Sequence, residues 1–75
     1  MWYFKTRHGT VKIVPYQGRY HIIYNEDNLG SYISPQQAID DAAGGYTSTP
    51  TNEVDLGDLG LPADIGEWQY SKVYF

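Results

Sequence analysis

Apolar and polar residues alternate in three runs along the first 24 positions, and glycine-bearing turns separate them. Trp2-Tyr3-Phe4-Lys5-Thr6-Arg7 is the first, His8-Gly9 the turn, and Thr10-Val11-Lys12-Ile13-Val14 the second. Pro15 ends the second run or frees an edge of it, Gln17-Gly18 turns the chain again, and Arg19-Tyr20-His21-Ile22-Ile23-Tyr24 is the third. Three strands joined by such short turns predict an antiparallel meander. Beyond them Glu26-Asp27-Asn28 reads as a further turn, and Leu29 to Ile33 as a short approach to a helix, with room for a fourth strand.

The helix is the one element whose two ends are both written in the sequence. Ser34 offers an N-cap oxygen, Pro35 suits the first turn where a missing N–H costs nothing, and Gln37 stands where a capping box needs it. Ala38, Ile39, Ala42 and Ala43 then share one side, Asp40 and Asp41 take the other, and Gly44-Gly45 supplies a left-handed stop. Small alanines let this helix lie close on a sheet. Being short, it must draw its stability from that packing.

Downstream the pattern weakens. Residues 46–52 are rich in Thr, Ser and Pro, a long surface loop; the Asp-Leu-Gly triplets of 55–60 place Leu56 and Leu59 beneath a turn. Pro62 to Glu67 reads as one tight helical turn carrying Trp68 into the core, and Trp68 to Phe75 as a last strand able to join the sheet. The expected fold is therefore α+β, one small domain over residues 1–75, with a three- to four-stranded antiparallel meander and one short helix packed on one face. Its expected core is Trp2, Phe4, Tyr20, Ile22, Ile39 and Trp68.

Parity assigns the faces. With Trp2, Phe4, Val11, Ile13, Tyr20, Ile22 and Tyr24 toward the helix, the other face receives Tyr3, Lys5, Arg7, Lys12, Val14, Tyr16, Arg19, His21 and Ile23. Charge sharpens this picture. The net charge of −4 conceals four cations and no acid in residues 1–25, against nine acids and Lys72 in residues 26–75, so a basic sheet and an acidic rim are expected.

Two binding surfaces follow. Asp55, Asp58, Asp64 and Glu67, with Asp40, Asp41 and Glu53 nearby in sequence, form an acidic rim suited to a basic protein partner. Tyr70 and Tyr74 add aromatic anchors at the C-terminal edge, where pairing of an edge strand with a second copy would give a homodimer. The alternative is single-stranded nucleic acid on the sheet face, where Tyr3, Tyr16 and His21 offer rings to bases and Lys5, Arg7, Lys12 and Arg19 offer charge to phosphates. Abundant tyrosine and nine acids favour the protein-binding reading over that one.

Chemistry is poorly supplied. With no cysteine, disulfides, thiolate catalysis and sulfur-held zinc are excluded. His8 and His21 have no helical pair spacing, Asp55 and Asp58 do not match a calcium loop, and no phosphate loop or nucleophile elbow occurs. No catalytic residue, metal or cofactor is assigned. A chain of this length buries only about 60% of its extended surface, which leaves little for a deep enzyme cleft. No basic segment leads into an apolar run at the N-terminus and no span-length apolar run follows, so a cytoplasmic protein is expected.

Leu29-Gly30-Ser31-Tyr32, Ser34-Pro35-Gln36-Gln37-Ala38, Asp41, Gly44-Gly45 and the later Leu61-Pro62-Ala63-Asp64-Ile65-Gly66-Glu67-Trp68 carry one resemblance. In these segments, GSY-x-SP-x-x-A and LP-x-D-x-x-EW, the chain resembles small uncharacterised bacterial α+β proteins over residues 19–68. The resemblance implies a bacterial or phage origin and a meander-plus-helix fold. It carries no activity onto individual residues. The expectation is a noncatalytic protein-binding module of the accessory or inhibitory kind.

Overall fold

The computed structural model describes residues 1–47 and 55–72. Five strands, Trp2–Thr6 (β1), Gly9–Tyr16 (β2), Arg19–Tyr24 (β3), Asp27–Tyr32 (β4) and Gln69–Tyr70 (β5), form one antiparallel sheet in the order β4-β3-β2-β1-β5. One helix, Pro35–Gly44 (α1), and two 3₁₀ turns, Leu56–Asp58 and Ile65–Glu67, cover one face. The fold is thus α+β as expected, with five strands in place of three or four. Among the described residues no helix is long and apolar enough to cross a membrane.

Turn chemistry sets the meander and corrects two boundaries. Gln17 (φ 51) and Gly18 (φ 78) make the β2–β3 turn with both central residues left-handed, the geometry that matches the twist of paired strands. Asn25 (φ 50) and Glu26 (φ 72) repeat it between β3 and β4, so Asp27 and Asn28, read from sequence as turn residues, belong to β4. Between β1 and β2 the turn is Arg7-His8, one residue earlier than the expected His8-Gly9. Thr6 explains the shift, because its Oγ1 accepts from the His8 N–H at 3.1 Å and donates to the Gly9 carbonyl at 2.7 Å.

Register follows from burial. Val11 faces Tyr24 and Ile13 faces Ile22 across β2 and β3, and all four are fully buried against the covering layer. Pro15 pairs with Tyr20 beyond the point where β1 begins, with Trp2 beside Ile13, so its missing N–H faces no β1 residue on that side. Between β3 and β4 the register shifts, Ile22 opposing Gly30 and Ile23 opposing Asn28, and the intervening Leu29 enters the core with 4% exposure, a shift of parity that simple alternation does not contain.

The helix ends as its sequence predicts. Ser34 is extended (φ −143°, ψ 153°) and its Oγ accepts the Gln37 N–H at 3.1 Å, Pro35 opens the helix, and Gly45 closes it in the left-handed region (φ 76°). The capping box differs in one bond: Gln37 Oε1 accepts from Ile33 N at 3.4 Å, one residue before the expected Ser34. Ala38, Ile39 and Ala42 are buried, and the small alanines let α1 sit on β2, β3 and β4. Of the expected core, Ile22, Ile39 and Trp68 are buried, while Trp2, Phe4 and Tyr20 pack against that core from its margin.

The last strand is shorter than expected. Gln69 and Tyr70 pair with Tyr3 and Trp2, and the N–H of Ser71 donates to the Met1 carbonyl at 2.9 Å; residues 73–75 lie outside the described residues. Trp68 anchors the approach, its ring tilted on Phe4 at 5.8 Å and its Nε1–H donating to the Pro62 carbonyl at 2.8 Å.

Candidate functional site

Among the described residues the sheet has one covered face and one open one, and the register maps the open one row by row. Gln69, Tyr3, Lys12, Ile23 and Asn28 stand side by side across β5, β1, β2, β3 and β4. Lys5 opposes Thr10 on one side of this row; Val14, His21 and Ser31 oppose one another on the other, followed by Tyr16 and Arg19. Two adjoining depressions lie in this surface. The first, about 470 Å³, is lined by Tyr3, Lys5, Thr10, Lys12, Ile23 and the turn residues Asn25 and Glu26. The second, about 380 Å³, is lined by Val14, Tyr16, His21, Ile23 and Asn28. Ile23 is common to both, so they form one shallow trough that is cationic at one end and apolar at the other.

Five of the seven residues expected on a basic aromatic face therefore line the trough: Tyr3, Lys5, Lys12, Tyr16 and His21. Arg7 and Arg19 do not. Arg7 sits in the β1–β2 turn with its Nε 3.3 Å from His8 Nε2, and Arg19 donates from Nε to Ser31 Oγ at 3.0 Å and from its guanidinium to the Ser31 carbonyl at 3.1 Å. The Tyr16 ring meets His21 edge-on at 6.1 Å, and His21 Nδ1 lies 3.1 Å from Asn28 Nδ2, which holds the imidazole across the β3–β4 step. Asn25, Glu26 and Asn28 were not anticipated as site residues. Their composition reads as a connecting loop, whereas the left-handed pair Asn25-Glu26 makes a tight β3–β4 turn that lines the first depression and leaves Asn28 inside β4, opposite Ile23.

The opposite layer is acidic. α1 and the two 3₁₀ turns with their caps carry Asp40, Asp41, Asp55, Asp58, Asp64 and Glu67 and no lysine or arginine. Asp55, Asp58, Asp64 and Glu67 are exposed there, but two of them have local work: Asp55 Oδ1 accepts the Gly57 N–H at 2.8 Å and Asp64 Oδ1 accepts the Gly66 N–H at 2.8 Å. Each thereby caps a 3₁₀ turn, in the matching sequences Asp55-Leu56-Gly57-Asp58 and Asp64-Ile65-Gly66-Glu67. Gln36 ties this layer together, its Nε2 donating to Asp40 Oδ1 and to the Ala63 carbonyl, both at 2.8 Å. The Tyr32 phenol is pushed up from 10.0 by burial, then by its hydrogen bond to the Asp41 carboxylate and by that charge.

Tyr70 is 58% exposed, and its ring packs edge-on against Trp2 at 5.0 Å, which in turn meets Tyr20 at 6.2 Å. Tyr74, the other aromatic expected at a protein contact, lies outside the described residues. Among the described residues no three His, Asp or Glu side chains gather as metal ligands. No protein-family model, no curated protein and no solved structure matches this chain.

Proposed function

We propose that the chain is a noncatalytic protein-binding module, of the accessory or inhibitory kind, whose contact surface is the open face of the sheet and whose partner presents acidic side chains. The observation that carries this reading is the trough joined at Ile23, with Lys5, Lys12 and Tyr3 at one end and Val14 and Tyr16 at the other. A mixture of cation, aromatic ring and aliphatic side chain on a rigid sheet is the composition of a protein contact, in which apolar burial gives affinity and charge gives orientation. A single-stranded nucleic acid is held in a positively charged groove that tracks its backbone, with rings on which bases stack. Here Arg19 is held by Ser31, Glu26 borders the cationic end, and the far end is apolar.

Fluorescence polarisation with a labelled nine-residue peptide rich in Glu and Leu, against a labelled nine-residue oligothymidylate, separates the two. The peptide is expected to bind, and Lys5→Glu/Lys12→Glu to weaken it at least about tenfold, with circular dichroism confirming the fold. Tighter oligonucleotide binding that fades steeply with salt would transfer the function to nucleic acid. Tighter binding of a labelled nine-residue peptide rich in Lys and Leu, lost in Asp58→Lys/Glu67→Lys, would transfer it to the acidic layer.

A further inference from the structure

Resting on that reading, we infer that the open face recognises an extended acidic segment by pattern: a carboxylate over the lysine end of the trough and an apolar side chain two residues away over the Tyr16 end. The pattern comes from β2 itself. Its outward residues run Thr10, Lys12, Val14, Tyr16, so polarity changes from hydroxyl and cation to aliphatic and ring along a single strand. Lys12 stands between Tyr3 and Ile23, and Val14 stands beside His21.

Two residues along a strand advance it by about 6.6–6.8 Å, and an extended ligand has the same repeat. A ligand lying along β2 therefore sets its residues i and i+2 over Lys12 and Val14, while residue i+1 faces solvent. Charge complementarity sets which end is which. Lys5 and Lys12 are diagonal neighbours across β1 and β2, and both line the first depression, so a ligand carboxylate at this end meets two ammonium groups against the one carboxylate of Glu26. Val14, Tyr16 and the shared Ile23 give the second depression most of its wall as hydrocarbon, with His21 and Asn28, which lie against each other, as its polar members. Glu26, which lines the same depression, adds a repulsive element against ligands that bring more than one negative charge to that end.

The test uses the intact protein and four labelled nine-residue peptides on a Ser/Thr background. Two have one Glu and one Leu spaced by two residues, in either order; one has them adjacent; one replaces the Glu by Gln at the two-residue spacing. One of the two-residue peptides is expected to bind about tenfold more tightly than the adjacent and the Gln peptides, the worth of one buried apolar side chain or one charge contact. Lys12→Gln is expected to abolish the preference for Glu over Gln while retaining the spacing preference. Tyr16→Ala is expected to do the reverse; Tyr16 is 62% exposed, so the core does not depend on it.

Equal affinity for both spacings, with binding still lost in Lys5→Glu/Lys12→Glu, would overturn the pattern and leave the protein-binding reading standing. Failure of every acidic peptide would overturn both. Concentration-dependent dimerisation abolished by the same lysine reversal would assign the face to a second copy of this chain, and preferential capture of oligothymidylate would assign it to nucleic acid; either result overturns the inference.

Discussion

Gly45→Ala probes the joint that holds the acidic layer to the helix. Gly45 ends α1 at φ 76°, and a Cβ there would stand 2.9 Å from Asp55 Oδ1, 3.3 Å from Gly57 Cα and 3.4 Å from Gly57 N. The left-handed backbone alone costs a non-glycine residue about 1 kcal/mol. The carboxylate must also swing away, and in doing so it releases the Gly57 N–H that it caps, a further loss of about 1 kcal/mol, with a smaller one for the backbone shift at Gly57. The expected destabilisation is about 2–3 kcal/mol. Gly18 provides the control, because at φ 78° a Cβ would meet nothing within 4 Å, so Gly18→Ala is expected to cost only the backbone share, about 1 kcal/mol. Urea unfolding by linear extrapolation measures both. Adding Asp55→Ala completes a cycle: removing the carboxylate deletes the clash and the cap together, so the double variant should be about 1 kcal/mol more stable than additivity gives. Equal losses for Gly45→Ala and Gly18→Ala, or strict additivity with Asp55→Ala, would refute the docking of the first 3₁₀ turn onto the helix end.

Tyr24→Phe removes a hydroxyl that donates to the His8 carbonyl at 2.9 Å from a fully buried ring; a loss of about 0.5–1.5 kcal/mol is expected, with faster amide exchange in the β1–β2 turn. Tyr32 supplies the pH dependence. Its folded phenol titrates above 10.0, so its contribution is complete below that value and is lost as pH rises toward the folded pKa, because the unfolded phenol ionises first. Urea unfolding from about pH 8 to about pH 11 should therefore show wild type losing more stability than Tyr32→Phe.

The sequence made local chemistry legible and tertiary placement less so. Ser34, Pro35 and Gly45 announce the helix because caps act through neighbouring backbone groups, and the parity of Val11, Ile13, Ile22 and Tyr24 announces the buried face because strands alternate strictly. Where alternation fails, the reading fails with it: the irregularity opposite Ile22 and Ile23 turns Leu29 inward and extends β4 back to Asp27. Asp55 and Asp64 looked like free charge because their partners are backbone N–H groups two residues on, invisible to a count of acids. The basic face was legible as a set of outward residues, yet its trough was not. Asn25 and Glu26, at left-handed φ in the β3–β4 turn, line it beside Lys5 and Lys12, while Arg19 is bonded to Ser31 and lines neither depression.

The most direct test of the central claim is a ¹H–¹⁵N correlation titration of the labelled protein with the Glu–Leu peptide of two-residue spacing. Binding through the open face predicts the largest shifts at the amides of Tyr3, Lys12, His21 and Ile23, with Asp58 and Glu67 unmoved. Shifts gathered instead on Asp55–Glu67 or around Tyr70 would contradict it and place the partner on the acidic layer or the β5 edge.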